Sequence, residues 1–409
     1  MSISSSITPH RTPVFAAMGL AVTLFAAPAL AQKKYDTGAS DTEIKVGHLN
    51  PYSGPASAYG NIGKAIKAYF DKVNADGGIN GRKVTFISLD DGYNPAKTVE
   101  QTRKLVEEEE VLLVFQSLGT PPNSAIHKYM NQRKVPHLFL ATGATKWDDP
   151  KTYPWTMGWQ PSYYAEGVIY AKYILKNKPA AKVAVLVQND DYGKDYLKGF
   201  LDGLGDKKPV IQLSYEITDP TIDSQMTRLQ ASGADTFFNI TTPKFAAMAI
   251  KKAAEINWKP LHFLNSVSAS VGAVLKPAGY ENSQGIMSVA YLKDPTDPQW
   301  KSDAGYKKWE AFIDKYMPGA NKTDGNLVYG YNVAQGLVHV LKQSGDNLSR
   351  ENIMKQAASI KGLTLDMLLP GITVETSATD FAPIQQEQLM RFTADRWELF
   401  GEIFDASKK

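Results

Sequence analysis

The sequence predicts an α/β protein of two doubly wound, Rossmann-like lobes. Strand and helix patterns alternate over residues 43–141, a segment rich in Trp and Tyr interrupts them at 146–160, and the alternation then restarts and runs to about 293.

The first unit has every junction marked. Glu43–Leu49 alternates and is rich in Ile and Val, as a strand is, and Asn50–Ser57 carries the Pro and Gly of a loop. Apolar residues then recur near the helical period at Ala58, Ile62, Ala65, Ile66, Tyr69, Phe70 and Val73, until Asp76-Gly77-Gly78 ends the run where a left-handed cap belongs. A tight turn at Asn80-Gly81 leads into a buried strand, Val84–Leu89. Two parallel strands joined by such a helix leave the loop after the first strand facing a crevice, so Pro51–Tyr59 is expected at the mouth of a binding site.

The alternation continues as helix 95–109, strand 111–116, helix 121–133 and strand 137–141, with Glu107–Glu110 read as a solvated helix end. Lys146–Gln160 is read as a loop holding the first passage between lobes. Beyond it come helix Tyr164–Lys178 and the strand Lys182–Gln188, a continuous apolar run of the kind buried on both faces of a parallel sheet. Helices 193–204, 223–231 and 243–256 alternate with strands 210–217, 235–241 and 261–265. Strand 285–293, long helices 300–317 and 327–343, and short β segments from Gly362 to Ile403 complete the chain.

Residues 1–31 read as a cleaved export signal. Arg11 is the one charge before Lys33, Val14–Pro28 is an apolar run of about 15 residues, and Ala29-Leu30-Ala31 is a small-x-small cleavage site, so the mature chain is expected to begin at Gln32. A membrane anchor needs about 20 apolar residues. The chain has no Cys, which excludes a lipid anchor on cysteine, a disulfide framework and thiolate metal sites. No stable membrane insertion is expected. Lys plus Arg number 45 against 42 Asp plus Glu, a balance without the electrostatic footprint of a nucleic-acid binder.

No catalytic constellation stands out: the chain lacks G-x-G-x-x-G, a Walker loop, H-E-x-x-H and G-x-S-x-G. Tyr93 and Lys97 have Y-x-x-x-K spacing, but Pro95 lies between them at a strand-to-helix turn. The histidines after the leader, at 48, 127, 137, 262 and 339, show no helical ligand spacing and are read as surface or capped residues. No cofactor and no metal is expected. What stands out is a set of hydroxyls, glycines and aromatics placed after strands. Thr120, after Gln116-Ser117-Leu118-Gly119 and before Pro121-Pro122, either caps its own helix or offers its hydroxyl and nearby amides to an anion at a helix start. Ala141-Thr142-Gly143-Ala144-Thr145 emerges beside it, and Tyr59 and Tyr192 follow the first strands of the two lobes. Tyr192 is either a lid on a ligand or a locally packed residue.

With these pieces in place, the chain resembles the periplasmic leucine/isoleucine/valine-binding family of ABC-importer receptors, which have the type I periplasmic binding protein fold. The resemblance rests on SGPASAYG (53–60), NADGGINGRKV (74–84), DDGYNPAKTVE (90–100), the Gly-Thr pair at 119–120, ATGAT (141–145), KYILKN (172–177) and NDDYGKDY (189–196). It implies two lobes, 42–160 plus 289–366 and 161–288 plus 367–403, joined by three crossovers near 158–162, 286–290 and 365–372, with hinge closure around the ligand. It also implies a monomeric periplasmic protein that is not an enzyme and serves a permease and ATPase complex. Carried over by position, Thr120 corresponds to the hydroxyl on the ligand carboxylate, and Gly143 and Thr145 to partners in the next loop. Tyr59 and Tyr192 correspond to the aromatic pair around the ligand, Thr242 lies close to another family aromatic contact, and Ser266 is a further candidate ligand contact. The departure is at Leu264-Asn265-Ser266-Val267-Ser268, where amino-acid-binding relatives place an acid on the ligand ammonium and this chain has none. A buried ammonium without a counter-charge is costly. The expected ligand is therefore a small carboxylate, with a hydrophobic aromatic or aliphatic acid favoured. A true branched-chain amino acid receptor, a ligand-sensing module for a membrane receptor and a secreted enzyme are the alternatives.

Overall fold

The computed structural model describes residues 1–10 and 33–408. The apolar run of the expected leader, its cleavage site and Gln32 lie outside the described residues; residues 1–10 are exposed and form no helix or strand. No helix among the described residues is long and apolar enough to cross a membrane.

After β1 (Lys34–Tyr35) the chain builds its first sheet from β2 (Glu43–Asn50), helix α1 (Gly60–Ala75), β3 (Lys83–Asp90), α2 (Pro95–Arg103), β4 (Leu113–Phe115), α3 (Thr120–Gln132), β5 (His137–Leu140) and β6 (Thr156–Gly158). The order is β3-β2-β4-β5-β6, all parallel. The apolar stripe of α1 is buried at Ile62, Ala65, Ile66, Phe70 and Val73, and the helix stops at Asp76 before two glycines of positive φ. The side chain of Asn94 caps α2 by accepting from the amides of Ala96 at 2.9 Å and Lys97 at 3.2 Å, with Pro95 in the first turn. Tyr93 therefore lies outside the helix that holds Lys97. The segment read as a loop, 146–160, contains β6; its Thr and Met alternate too briefly to show a period, and pairing with β5 makes the strand.

The second sheet takes α4 (Tyr163–Asn177), β7 (Val183–Gln188), α5 (Asp191–Leu204), β8 (Ile211–Tyr215), α6 (Asp223–Ala231), β9 (Thr236–Ile240), α7 (Pro243–Glu255), β10 (Leu261–Leu264), α8 (Lys276–Ala278) and β11 (Met287–Ala290). Then α9 (Ala304–Tyr316) and α10 (Gly325–Ser344) return to α1, sharing a buried cluster of Ala65, Ala68, Trp309, Phe312, Leu327 and Tyr331. β12 (Asn347–Leu348) pairs with β1, and α11 (Arg350–Ala357) follows, a helix the sequence reading passes over. Finally β13 (Gln386–Thr393) and β14 (Arg396–Asp405) close the second sheet, whose order is β14-β13-β11-β10-β9-β7-β8, parallel except for the antiparallel pairings β11–β13 and β13–β14. The architecture is thus α/β with two open sheets, as expected. The expected boundary between 288 and 289 falls inside β11, whose residues Val289 and Ala290 still pair with Leu389 and Gln388; the chain leaves this sheet only after Ala290.

The histidines depart from expectation. His48, His137 and His262 are buried rather than at the surface. Each keeps one nitrogen bonded, to Phe115 O at 2.8 Å, Ser117 Oγ at 2.6 Å and Asn239 Nδ2 at 3.2 Å. Burial holds them neutral, down to about 4 for His48 and about 3 for His137 and His262. Their folded values lie below the unfolded one, so this stability is complete above about pH 6.5 and is lost as pH falls toward 3, because the unfolded chain takes up the protons first. Urea denaturation should therefore show His262→Gln losing less stability between pH 7 and pH 4 than the wild type, by on the order of 3 kcal/mol. Identical pH dependence in the two proteins would show that His262 does not titrate on unfolding.

Candidate ligand-binding cavity

Parallel strands deliver their carboxyl-end loops to one edge, and in this protein those edges meet around a cavity with a free volume of about 150 Å³. From the first sheet come Tyr59 after β2, Tyr93 after β3 and Leu118-Gly119-Thr120 after β4; from the second come Tyr192 after β7, Thr242 after β9, Ser266 after β10 and Tyr291 after β11. Tyr163 and Gln160, on the first passage between sheets, and Tyr329 on α10 complete the wall. The two sides also touch. Tyr59 OH donates to Val267 O at 3.2 Å, Ser270 Oγ to Asp324 Oδ1 at 2.8 Å, and Gly272 N to Thr323 O at 2.8 Å.

The hydroxyl of Thr120 is set by a relay. Thr120 is the first residue of α3, with Gly119 as its cap at φ 99°, and its side chain does not cap the helix. A Cβ on Gly119 would lie 2.4 Å from the Tyr93 ring. Thr120 Oγ1 sits 2.6 Å from Thr142 Oγ1, and the latter accepts from Trp147 Nε1 at 3.2 Å and Ala144 N at 3.3 Å. With both lone pairs of Thr142 engaged, its hydrogen goes to Thr120, so the Thr120 hydrogen is left to donate. Pro121 and Pro122 remove the next two amides, leaving the Thr120 amide at the positive end of the helix. Tyr93 at φ 60° and Gln116 at φ 58°, both just past strands that feed this wall, hold left-handed backbone, the kind of local strain that clusters at ligand sites.

Not every expected residue arrives. Tyr59, Thr120, Tyr192, Thr242 and Ser266 share the cavity; Gly143 and Thr145 do not, and they line a separate one. The loop turns away because Gly143 lies under Pro161, where a Cβ would stand 2.2 Å from the carbonyl oxygen, and its own carbonyl accepts from Tyr163 N at 2.8 Å. Thr145 is spent on Asp195, donating its hydroxyl at 2.6 Å and its amide at 3.0 Å. Tyr192 meets both the cavity and its aromatic neighbours. It lines the cavity and packs edge-on to Tyr163 and Tyr196, at centroid distances of 5.4 and 5.5 Å, while its hydroxyl accepts from Asn265 Nδ2 at 2.5 Å. Thr242 donates to Gln188 Oε1 at 3.1 Å.

Ser266 brings in a residue that sequence reasoning missed. Its amide and hydroxyl donate to the buried carboxylate of Glu166 at 2.7 and 2.6 Å, and Tyr170 and Tyr196 donate to the same carboxylate at 2.7 and 2.8 Å. Burial raises the pKa of Glu166, and its four donors oppose that shift. Ser266 thus keeps only acceptor capacity for a ligand. Two acids beside Tyr192 are engaged elsewhere: Asp190 caps α5 and Asp191 pairs with Lys146 at 2.7 Å. Asp294, after β11, does line the cavity, and burial pushes it up to about 6. Its Oδ1 accepts from Thr296 N at 2.9 Å. Lys293 beside it turns its ammonium to Asp303 at 2.6 Å. The rule that places sites after parallel strands also reaches Tyr93, Tyr291 and Asp294; Glu166, inside a helix, carries no such signal.

Residues 43–396 match the profile of the periplasmic binding protein family. Among similar proteins, a Brucella abortus "Leu/Ile/Val-binding protein homolog 1" is 24% identical over 357 residues, covering 84% of this chain and 91% of the relative. A Pseudomonas aeruginosa "Amino acid binding protein" is 22% identical over 327 residues, covering 75% and 80%. Of solved structures, a branched-chain amino acid ABC transporter protein from Thermus thermophilus with bound valine superimposes with a TM-score of 0.81 at 16% identity, over 90% of this chain and 97% of that one. A fatty acid ABC transporter substrate-binding protein from Thermomonospora curvata gives 0.77 at 20% identity, over 92% and 97%. A family match across that span, on a fold of two open sheets that enclose a cavity between their carboxyl-end loops, places the chain in the periplasmic binding protein family, a family of binding proteins rather than enzymes.

Proposed function

We propose that this protein is the periplasmic substrate-binding protein of an ABC importer of the branched-chain amino acid type, and that it captures a small carboxylate by closing two lobes, divided near Gly158–Ser162, after Ala290 and before β13, around the cavity. The observation that carries this reading is the free hydrogen of Thr120 beside the start of α3, in a cavity walled by tyrosines. An engineered cavity of 150 Å³ holds a benzene-sized molecule, so a compact ring or branched chain suits the volume of this one. A hydrophobic acid is favoured because Asn265 is committed to Tyr192 and Thr241, Ser266 to Glu166, and neither bears a charge. Asp294 supports the second reading, an amino acid whose ammonium reaches that carboxyl.

Thermal-shift screening against leucine, isoleucine, valine, benzoates, phenylpropanoids and aliphatic acids separates the two. A ligand at about 100 times its Kd adds about 2.7 kcal/mol of stability. A shift with leucine and none with desamino acids would overturn the hydrophobic-acid reading. For the acid that binds, calorimetry should find Thr120→Val weaker by about 10-fold to 100-fold, since a hydrogen bond to a charged group contributes about 1.5–3 kcal/mol. Tyr192→Leu should weaken an aromatic acid by about tenfold, the contribution of one ring face; unchanged affinity would make Tyr192 a packing residue only. Cells lacking this protein should lose uptake of the same ligand.

A further inference from the structure

A second cavity, with a free volume of about 380 Å³, lies among the loop after β5, the passage 158–168 and the approach to β13. It is separate from the ligand cavity, and Gln160 stands in the wall of both. Trp147, Ala165, Phe381, Ile384 and Phe404 give it an apolar, partly aromatic lining. In that lining sits Glu387, 2% exposed, whose Oε1 is buried with no hydrogen-bond partner. A buried polar atom without a partner is rare, and its desolvation is unrepaid.

The neighbouring charges leave Glu387 unmatched. Glu166, on α4, is satisfied by four donors, and Tyr170 on the same helix donates to Glu166. Asp148, from the loop after β5, accepts from Phe381 N at 2.6 Å. Two lysines also line this cavity, Lys172 with its ammonium 5.4 Å over the Phe404 ring and Lys408 paired with Asp405 at 3.1 Å, and neither donates to Glu387. We propose that this cavity is a second binding site, for a small organic cation whose primary ammonium is received by the Glu387 carboxylate and whose apolar body lies among Trp147, Phe381 and Phe404.

The proton inventory supports the assignment. Burial, with the Glu166 charge nearby, pushes Glu387 well above the usual carboxylate range. Receiving an ammonium would favour its charged form and pull that value back down, so binding is linked to proton release. Benzylamine is the probe, with benzyl alcohol as its neutral counterpart. Titration calorimetry of the purified protein at pH 7 should show benzylamine binding at least about tenfold more tightly than benzyl alcohol. Its heat should vary with buffer ionisation enthalpy, the mark of linked proton release. Glu387→Gln, which keeps the shape and removes the charge, should abolish that preference and the proton release. Ala165→Phe, which fills the cavity and keeps Glu387, should abolish binding of both probes. Absence of benzylamine binding to the wild type, equal affinity of the two probes, a preference for benzylamine that survives Glu387→Gln, or binding of either probe that survives Ala165→Phe would overturn the proposal.

Discussion

A parallel sheet imposes one constraint from which the site follows. Each strand must return over a crossover before the next can start, so every carboxyl-end loop leaves the same edge. With two such sheets in one chain, the residues that need not serve the strands collect at two edges. Tyr59, Tyr93 and Thr120 sit on one, and Tyr192, Thr242, Ser266 and Tyr291 on the other. Because the chain visits the first sheet, the second, the helices on α1 and then the second sheet again, several separate passages connect the edges. Relative motion of the sheets then requires concerted changes in those passages, which is the geometry of a hinge.

Buried carboxylates organise the wall behind this meeting place. Glu166 belongs to α4, immediately after the first passage, and holds the amide and hydroxyl of Ser266 on the loop after β10. One charged group with four donors therefore fixes two elements far apart in sequence. Truncating such a partner leaves a buried charge uncompensated, which is why buried pairs and networks are costly to break. Glu387, in the lining of the second cavity, is the counterexample: a carboxyl buried to the same degree without such donors. The two acids differ in what surrounds them, and that difference separates an internal strut from a group available to a visitor.

The tyrosine wall has a similar double use. Tyr163 stacks on Tyr196 at 4.4 Å and meets Tyr192 edge-on, so the rings that face the cavity are held by rings that do not. Rings fixed by neighbours lose little freedom when a ligand arrives, and preorganisation of that kind favours affinity. The relay from Trp147 through Thr142 to Thr120 does for a hydroxyl what the stacking does for the rings.

Local pattern determined much of this protein. The stripe Ile62–Val73, the apolar run Val183–Gln188 and the glycines after Asp76 mark α1, β7 and a helix end because helix and strand periods are properties of neighbouring residues. The strand-end rule located Tyr59, Thr120 and Tyr192 for the same reason. Tertiary structure decided what the period cannot encode. β6 and α11 are too short for a pattern and exist through their partners. Gly143 and Thr145 leave the cavity because Pro161 and Asp195, distant in sequence, claim them first. Glu166, Asp294 and the buried histidines acquire their roles from burial, and the dielectric and donors around a titratable group are set by residues that the fold brings in from elsewhere in the chain.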